Sequence, residues 1–114
     1  MPTYKKLVRD RILEIIEKNG HAYTYSILDE AAYQRELRSK LQEELQEYLD
    51  AETDKDSVEE LADLIEVIYA LAKIHGASAE ALEAVRKQKS EARGGFEKRI
   101  FLDQVDEETS RKPG

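Results

Sequence analysis

The chain of 114 residues has no cysteine, no tryptophan, two prolines and two histidines. Without cysteine it can form neither a disulfide framework nor a thiolate metal site, and it has no thiol nucleophile. Aromatic residues make up 7% of the sequence, whereas leucine, alanine, glutamate and lysine dominate, which favours helices over sheet. The lack of cysteine also fits a reducing compartment, and we expect the protein to be cytoplasmic.

Long apolar runs are missing as well. None approaches the roughly 20 residues that cross a bilayer, and the opening residues MPTYKKLVRDR lack the apolar region of a signal peptide. With 18 basic and 25 acidic residues, the net charge is −7. Such a surface repels the phosphates of DNA and RNA, so we expect neither an extended nucleic acid nor a membrane as partner. A small phosphate-bearing ligand remains compatible where metal ions or basic side chains reverse the local field.

Apolar residues recur at helical spacing in four segments, each flanked by residues that start or stop a helix. The predicted helices run from about Leu7 to Asn19, from a cap at Asp29 to about Leu49, from about Val58 to His75, and from Ser78 to near Arg93-Gly94-Gly95. The third is predicted to begin at a capping box, formed by Asp56 or Ser57 with an acidic residue three positions later. Residues 21–28 are interpreted as an extended connector.

The pattern predicts an all-α protein, a compact bundle of four principal helices in a single domain (1–102), followed by a polar, flexible C-terminal tail (103–114). The third helix is apolar around much of its circumference, so we expect it to be central and to face a second subunit. A domain of this size buries only about two-thirds of its unfolded surface. Both points favour a homodimer or a homotetramer.

Two acidic motifs carry the chemistry, EELQE on the second predicted helix and ELAD on the third. Glu44 and Glu47 are three residues apart, as are Glu60 and Asp63, so each pair shares one helix surface. Glu44 follows Leu41 by three residues and lies on the inward apolar stripe, and Glu60 shares the apolar face of its own helix. A carboxylate in such a position is unfavourable unless it is paired, protonated or bound to a metal. Four oxygen donors without histidine or cysteine suit Mg²⁺ or Mn²⁺.

Simpler interpretations exist for single residues. In a chain that is 38% charged, an acidic run is often a solvated helix face, and this fits Glu43, which points more outward. A di-iron bundle would need the motif Glu-x-x-His, which the sequence lacks. His21 and His75 are interpreted as incidental, and Lys89 and Arg93 have ordinary alternatives as a lysine with a buried stem and a residue before a glycine cap.

The sequence resembles the MazG-like superfamily of all-α nucleotide pyrophosphohydrolases, which includes dimeric dUTPases and phosphoribosyl-ATP pyrophosphohydrolase. Four stretches carry the resemblance and span most of residues 4–102: YKKLVRDRI (4–12), KLQEELQE (40–47), ELADLIEVIYAL (60–71) and KQKSEARGGF (87–96). The combination of the acidic pattern with LVRD near the start and RGGF after the last helix is more specific than the acidic pattern alone.

The resemblance implies an oligomeric helical bundle that cleaves a nucleoside triphosphate between the α- and β-phosphates with Mg²⁺, or Mn²⁺ as a substitute. Carried over by position, the metal ligands are Glu44, Glu47, Glu60 and Asp63, and Glu47 is the candidate proton acceptor. The role of Glu43 stays open. Five basic residues are candidates for binding the phosphates of the substrate: Lys5, Arg9, Lys40, Lys89 and Arg93.

Two alternatives remain. One is phosphoribosyl-ATP pyrophosphohydrolase in histidine biosynthesis, since proteins of that kind share the LVRD and RGGF stretches. The other is a helical interaction module without catalysis, although such a module has no reason to keep four inward acids. House-cleaning of damaged nucleotides is a role open to the enzyme. The sequence does not identify the base, and Tyr23, Tyr25 and Tyr33 are candidates for stacking on it.

Overall fold

The computed structural model describes residues 5–107. Within this range the chain forms four helices and no strand, which confirms the all-α prediction: α1 (Ile12–Lys18), α2 (Glu30–Asp50), α3 (Asp54–Ile74) and α4 (Ala79–Arg93). Residues 108–114 of the predicted tail and the first residue of the YKKLVRDRI motif lie outside the described residues. None of the four described helices combines the length and the apolar character needed to cross a membrane.

Two of the predicted helix starts are confirmed by their caps. The Asp29 carboxylate accepts a hydrogen bond of 2.8 Å from the backbone N–H of Ala32, and the Ser78 hydroxyl accepts one of 3.1 Å from Ala81. Each satisfies a backbone donor that has no partner within its helix. The predicted stop after α3 is also present, because Gly76 adopts a φ of +81°, which favours glycine.

The predicted start of α3 at Asp56 or Ser57 is wrong by about one turn. The hydroxyl of Thr53 is the cap and accepts a hydrogen bond of 3.1 Å from the backbone N–H of Asp56. Thr53 has extended backbone angles, and Asp54 and Asp56 then fall in the first turn, where negative charge is favoured by the helix dipole. The periodic apolar signal begins only at Val58, which hid this polar first turn.

The first helix is shorter than predicted. It covers Ile12–Lys18, whereas the periodicity predicts a start near Leu7. Residues 5–11 are not helical, and Arg9 in this segment forms an ion pair with Asp63 of α3. The non-helical segment before α1 thus contains a long-range contact to α3 that the local helical pattern does not predict.

The paired helices α2 and α3 are the main packing unit. A connection of three residues, 51–53, folds α3 back along α2, and α4 packs against α3. The backbone of α1 stays farther than 8 Å from the other three helices. Among the described residues the buried apolar side chains are Leu37 of α2 and Val67 of α3, which are 4% and 8% exposed. They lie at similar distances from the connection, so the core sits midway along the helix pair.

Much apolar surface is left uncovered by a single chain. The accessible area is 10661 Å², against about 6,400 Å² for a folded monomer of this mass. The radius of gyration is 19.4 Å, against about 13 Å for a domain of this length. Leu45, next to the buried Glu44 on α2, is 46% exposed. On α3 a row of exposed apolar side chains, here called the α3 apolar stripe, follows offsets of three and four residues: Val58, Leu61, Ile65 and Tyr69.

We expect Leu37→Ala to destabilise the protein by about 2–4 kcal/mol, because it removes a buried side chain from a small core and leaves a cavity. Urea unfolding followed by circular dichroism measures this. Leu45→Ala is the matched control on the same helix and should lower the stability far less, since Leu45 is about half exposed. Equal losses for the two variants would place the core elsewhere.

Candidate metal centre

The packing of α2 against α3 brings three acidic side chains together. One carboxylate oxygen each from Glu44, Glu47 and Glu60 lies within 4.8 Å of the other two. Glu44 and Glu47 come from adjacent turns of α2, and Glu60 comes from the second turn of α3. Three of the four predicted metal ligands therefore meet as the sequence spacing predicts, and we call these three residues the acid cluster.

The acid cluster contains buried oxygens without a hydrogen-bond donor. Glu44 is only 8% exposed, and its Oε2 atom has no hydrogen-bond partner in the described part of the chain. The Oε2 atom of Glu60 is in the same situation. Because a buried, unpaired carboxylate oxygen is strongly unfavourable, each of these atoms calls for a cation or a proton.

The surroundings disfavour ionisation of Glu44. Burial is the largest cause, followed by the neighbouring carboxylate of Glu47 and by the charge of Asp63, and together they raise the pKa of Glu44 to about 7. The ammonium group of Lys40 acts in the opposite direction. The pKa of Glu60 is also raised, again by burial first and then by Glu47 and Asp63. The acid cluster thus carries mutual repulsion that a bound cation would relieve.

Asp63, the fourth predicted ligand, lies beside the acid cluster and has a partner of its own. The guanidinium Nη2 of Arg9 donates a hydrogen bond of 2.6 Å to Asp63 Oδ1. Arg9 precedes α1, so this ion pair ties the N-terminal segment to α3. Sequence reasoning placed Arg9 at the substrate and did not predict that it pairs with a candidate metal ligand.

Lys40 is the second cation at the site. Its ammonium lies 3.5 Å from Glu43 Oε2 and 3.8 Å from Glu44 Oε1, and its side chain is only 19% exposed. These pairs follow the spacing of three and four residues along α2. Glu43, whose role the sequence left open, is therefore a counterion of Lys40 at the edge of the acid cluster.

An open cleft of about 270 Å³ adjoins Asp63 and the buried face of Glu44. It is lined by the N-terminal segment together with α1, α2 and α3: Lys6, Val8, Arg9, Ile12, Lys40, Glu44 and Asp63. Of the predicted phosphate-binding residues, Arg9 and Lys40 line it. Lys5 does not, and its place is taken by Lys6, which sequence reasoning missed. Lys6 and Val8 line the cleft at alternate positions, as expected where the backbone is not helical, and that alternation was the available signal.

Lys89 and Arg93 are not brought to this cleft. Both are exposed on α4, which packs against α3, and the backbones of α4 and α2 stay more than 8 Å apart. Val85, one turn before Lys89, is itself 50% exposed. The face of α4 that carries these residues is therefore turned to solvent in the single chain.

The tyrosines proposed for base stacking also lie away from the cleft lining. Tyr23 and Tyr25 contact each other in the connector between α1 and α2, with ring centroids 6.1 Å apart and planes inclined by 48°. Both are exposed, and Tyr33 on α2 is half-buried. No geometry at the cleft assigns a base-recognition role to any of the three.

Comparisons of the chain with models of protein families, with characterised proteins and with solved structures found no match. The resemblance to the MazG-like superfamily therefore rests on the sequence motifs alone.

We expect Glu44→Gln to stabilise the metal-free protein at pH 8. The pKa of Glu44 is raised from its ordinary value of 4.5 to about 7 in the folded chain, so folding disfavours its charged form. This group therefore costs stability progressively as the pH rises from about 4.5 through about 7, and the cost is fully present at pH 8. Thermal unfolding of parent and variant in EDTA at pH 5 and pH 8 measures the effect.

In that experiment the variant should gain melting temperature relative to the parent at pH 8 and little at pH 5. Glu52→Gln, in the exposed α2–α3 connection, is the control and should track the parent at both pH values. A Glu44→Gln variant with the same pH dependence as the parent would contradict the expected cost of ionising Glu44.

Proposed function

We propose that this protein is a Mg²⁺-dependent nucleotide pyrophosphohydrolase, which cleaves a nucleoside triphosphate between the α- and β-phosphates to give a monophosphate and pyrophosphate. The observation that supports this best is the acid cluster: two of its carboxylate oxygens are buried without a partner, and one of its residues, Glu44, lines a cleft together with Lys6, Arg9 and Lys40. Acidic clusters on soluble helices are common, but their oxygens are normally solvated or paired. The resemblance of the motifs supplies the reaction type.

The donor set fits a hard divalent cation. It consists of carboxylate oxygens alone, without nitrogen or sulfur donors, as Mg²⁺ and Mn²⁺ prefer. Glu44, Glu47 and Glu60 would hold the metal, with Asp63 as the fourth ligand. When bound there, Mg²⁺ would offset negative charge in the transition state and lower the pKa of a water molecule.

The protein's own side chains divide the remaining work. Lys6, Arg9 and Lys40 line the cleft and supply the positive charge that a phosphate chain needs beside an acidic site. Glu47 is the exposed member of the acid cluster, so a water molecule can reach it from solvent. We assign Glu47 the role of accepting the proton from the attacking water. Lys6, Arg9 and Lys40 would stabilise the negative charge that develops on the phosphates.

We also propose that the protein works as a homodimer or a homotetramer. The α3 apolar stripe is exposed over several turns, and the chain exposes far more area than a monomer of its mass requires. A second copy is the simplest partner for a stripe of this length, because symmetry lets one surface cover itself.

Glu60→Gln should lower turnover by orders of magnitude without disturbing the fold, because it keeps the volume of the side chain and removes one charged oxygen donor. Activity is measured as pyrophosphate release from a panel of intact and damaged nucleotides in Mg²⁺, with excess EDTA abolishing it in the parent. Glu52→Gln is the control and should retain the activity of the parent. Full activity of Glu60→Gln, or of the parent in EDTA, would rule out the metal site.

Ile65→Glu, in the middle of the α3 apolar stripe, should convert the oligomer into smaller species, because it places a charge in the proposed interface. Size-exclusion chromatography with light scattering at micromolar concentration measures the mass. Ile27→Glu is the control, since Ile27 is 86% exposed in the connector and lies off the stripe. A parent that runs as a monomer would refute the oligomer.

A further inference from the structure

The ion pair between Arg9 and Asp63 joins the two halves of the site. Asp63 is a candidate metal ligand, and Arg9 lines the cleft proposed for phosphates. The distance of 2.6 Å is that of a short, charge-assisted hydrogen bond. Arg9, a residue of the proposed phosphate-binding cleft, is therefore already hydrogen-bonded to Oδ1 of a candidate metal ligand, Asp63.

A divalent cation and a guanidinium compete for the same carboxylate. Both are positively charged, and at bonding distance from Asp63 they would lie within a few ångströms of each other, where like charges repel strongly. The side chains of Arg9 and Asp63 are 56% and 42% exposed, so neither is locked in place by packing. Arg9 is thus free to move when a metal takes Asp63.

Lys40 and Arg9, the two cations nearest the acids, differ in the counterions that they would keep after a metal binds. Lys40 has a second counterion in Glu43, at 3.5 Å, which lies outside the acid cluster. Arg9 has no ion-pair partner other than Asp63 within residues 5–107. Metal binding would therefore leave Lys40 compensated and Arg9 without a counterion.

The cleft offers no other anion to a displaced Arg9. Its lining contains three cations and two acids, namely Lys6, Arg9 and Lys40 against Glu44 and Asp63. Once both acids are committed to a metal, the lining presents positive charge alone. A phosphate chain is the complementary ligand, and its oxygens match the planar fork of a guanidinium.

We propose that Arg9 exchanges partners during ligand binding, holding Asp63 until a divalent cation takes that carboxylate and then binding the phosphate oxygens of the ligand in the adjacent cleft. This inference rests on the proposed function, because it uses the same acids as metal ligands. It makes Arg9 the residue through which metal binding and phosphate binding favour each other. It also assigns the cleft beside α1 to the pyrophosphate part of the substrate.

The test compares two binding reactions in the full-length chain by calorimetry, Mn²⁺ alone and inorganic pyrophosphate in saturating Mg²⁺. Arg9→Gln should bind Mn²⁺ about threefold more tightly than the parent, because the competing cation is gone. The same variant should bind magnesium pyrophosphate about tenfold more weakly, because a charged hydrogen-bond donor is lost. The opposite signs are the signature of the exchange, since a merely structural role would weaken both reactions.

Arg11→Gln is the matched control from the same segment, where Arg11 pairs with Glu14 at 3.1 Å and does not line the cleft. It should leave both affinities within about twofold of the parent. Arg9→Lys keeps the charge but not the planar fork, so it should retain the affinity of the parent for Mn²⁺ while weakening pyrophosphate binding.

The outcomes separate the two proposals. If the parent binds neither Mn²⁺ nor magnesium pyrophosphate, the metal centre and the exchange fail together. If the parent binds both ligands and Arg9→Gln weakens both, or changes only one, the exchange is overturned and the proposed function stands.

Discussion

The close packing of α2 against α3 is the constraint on which the rest of the structure depends. It buries Leu37 and Val67 midway along the helix pair, and the same approach forces Glu44 and Glu60 together nearer the connection. The pair therefore cannot gain its apolar contact without accepting the repulsion between carboxylates. Two nearby cations partly offset that repulsion: Lys40 from within α2, and Arg9 from the segment before α1.

The carboxylates that form the candidate metal site lower the stability of the folded chain. Few of the described side chains are buried, so the favourable contribution of the core is small, while the acid cluster opposes folding whenever it is charged. Proteins commonly tolerate such unfavourable groups where a ligand needs them. Anything that binds the folded acids and not the unfolded chain shifts the balance towards the native state, and a bound divalent cation would do so. A partner that covers the α3 apolar stripe would act in the same direction.

Local signals in the sequence were sufficient for most of the fold. Asp29 and Ser78 start their helices as predicted, because a cap acts within one turn, and Glu44, Glu47 and Glu60 meet because their spacing follows the helical repeat. Long-range effects were not readable. The pairing of Arg9 with Asp63 spans 54 positions, and no periodic pattern encodes it. Lys89 does not line the cleft. The helical repeat shows which residues share a face of α4, but it does not show what that face packs against.

The connection between α2 and α3 has a consequence for how the protein acquires its site during synthesis. All four acids come from the hairpin of residues 30–74, and only three residues separate its helices. Contacts between segments so near in sequence form quickly, because little chain entropy is lost in closing the loop. The carboxylates can therefore assemble while α4 is still emerging from the ribosome. The N-terminal segment is made earlier still, so Arg9 is available to pair with Asp63 from the moment the hairpin closes.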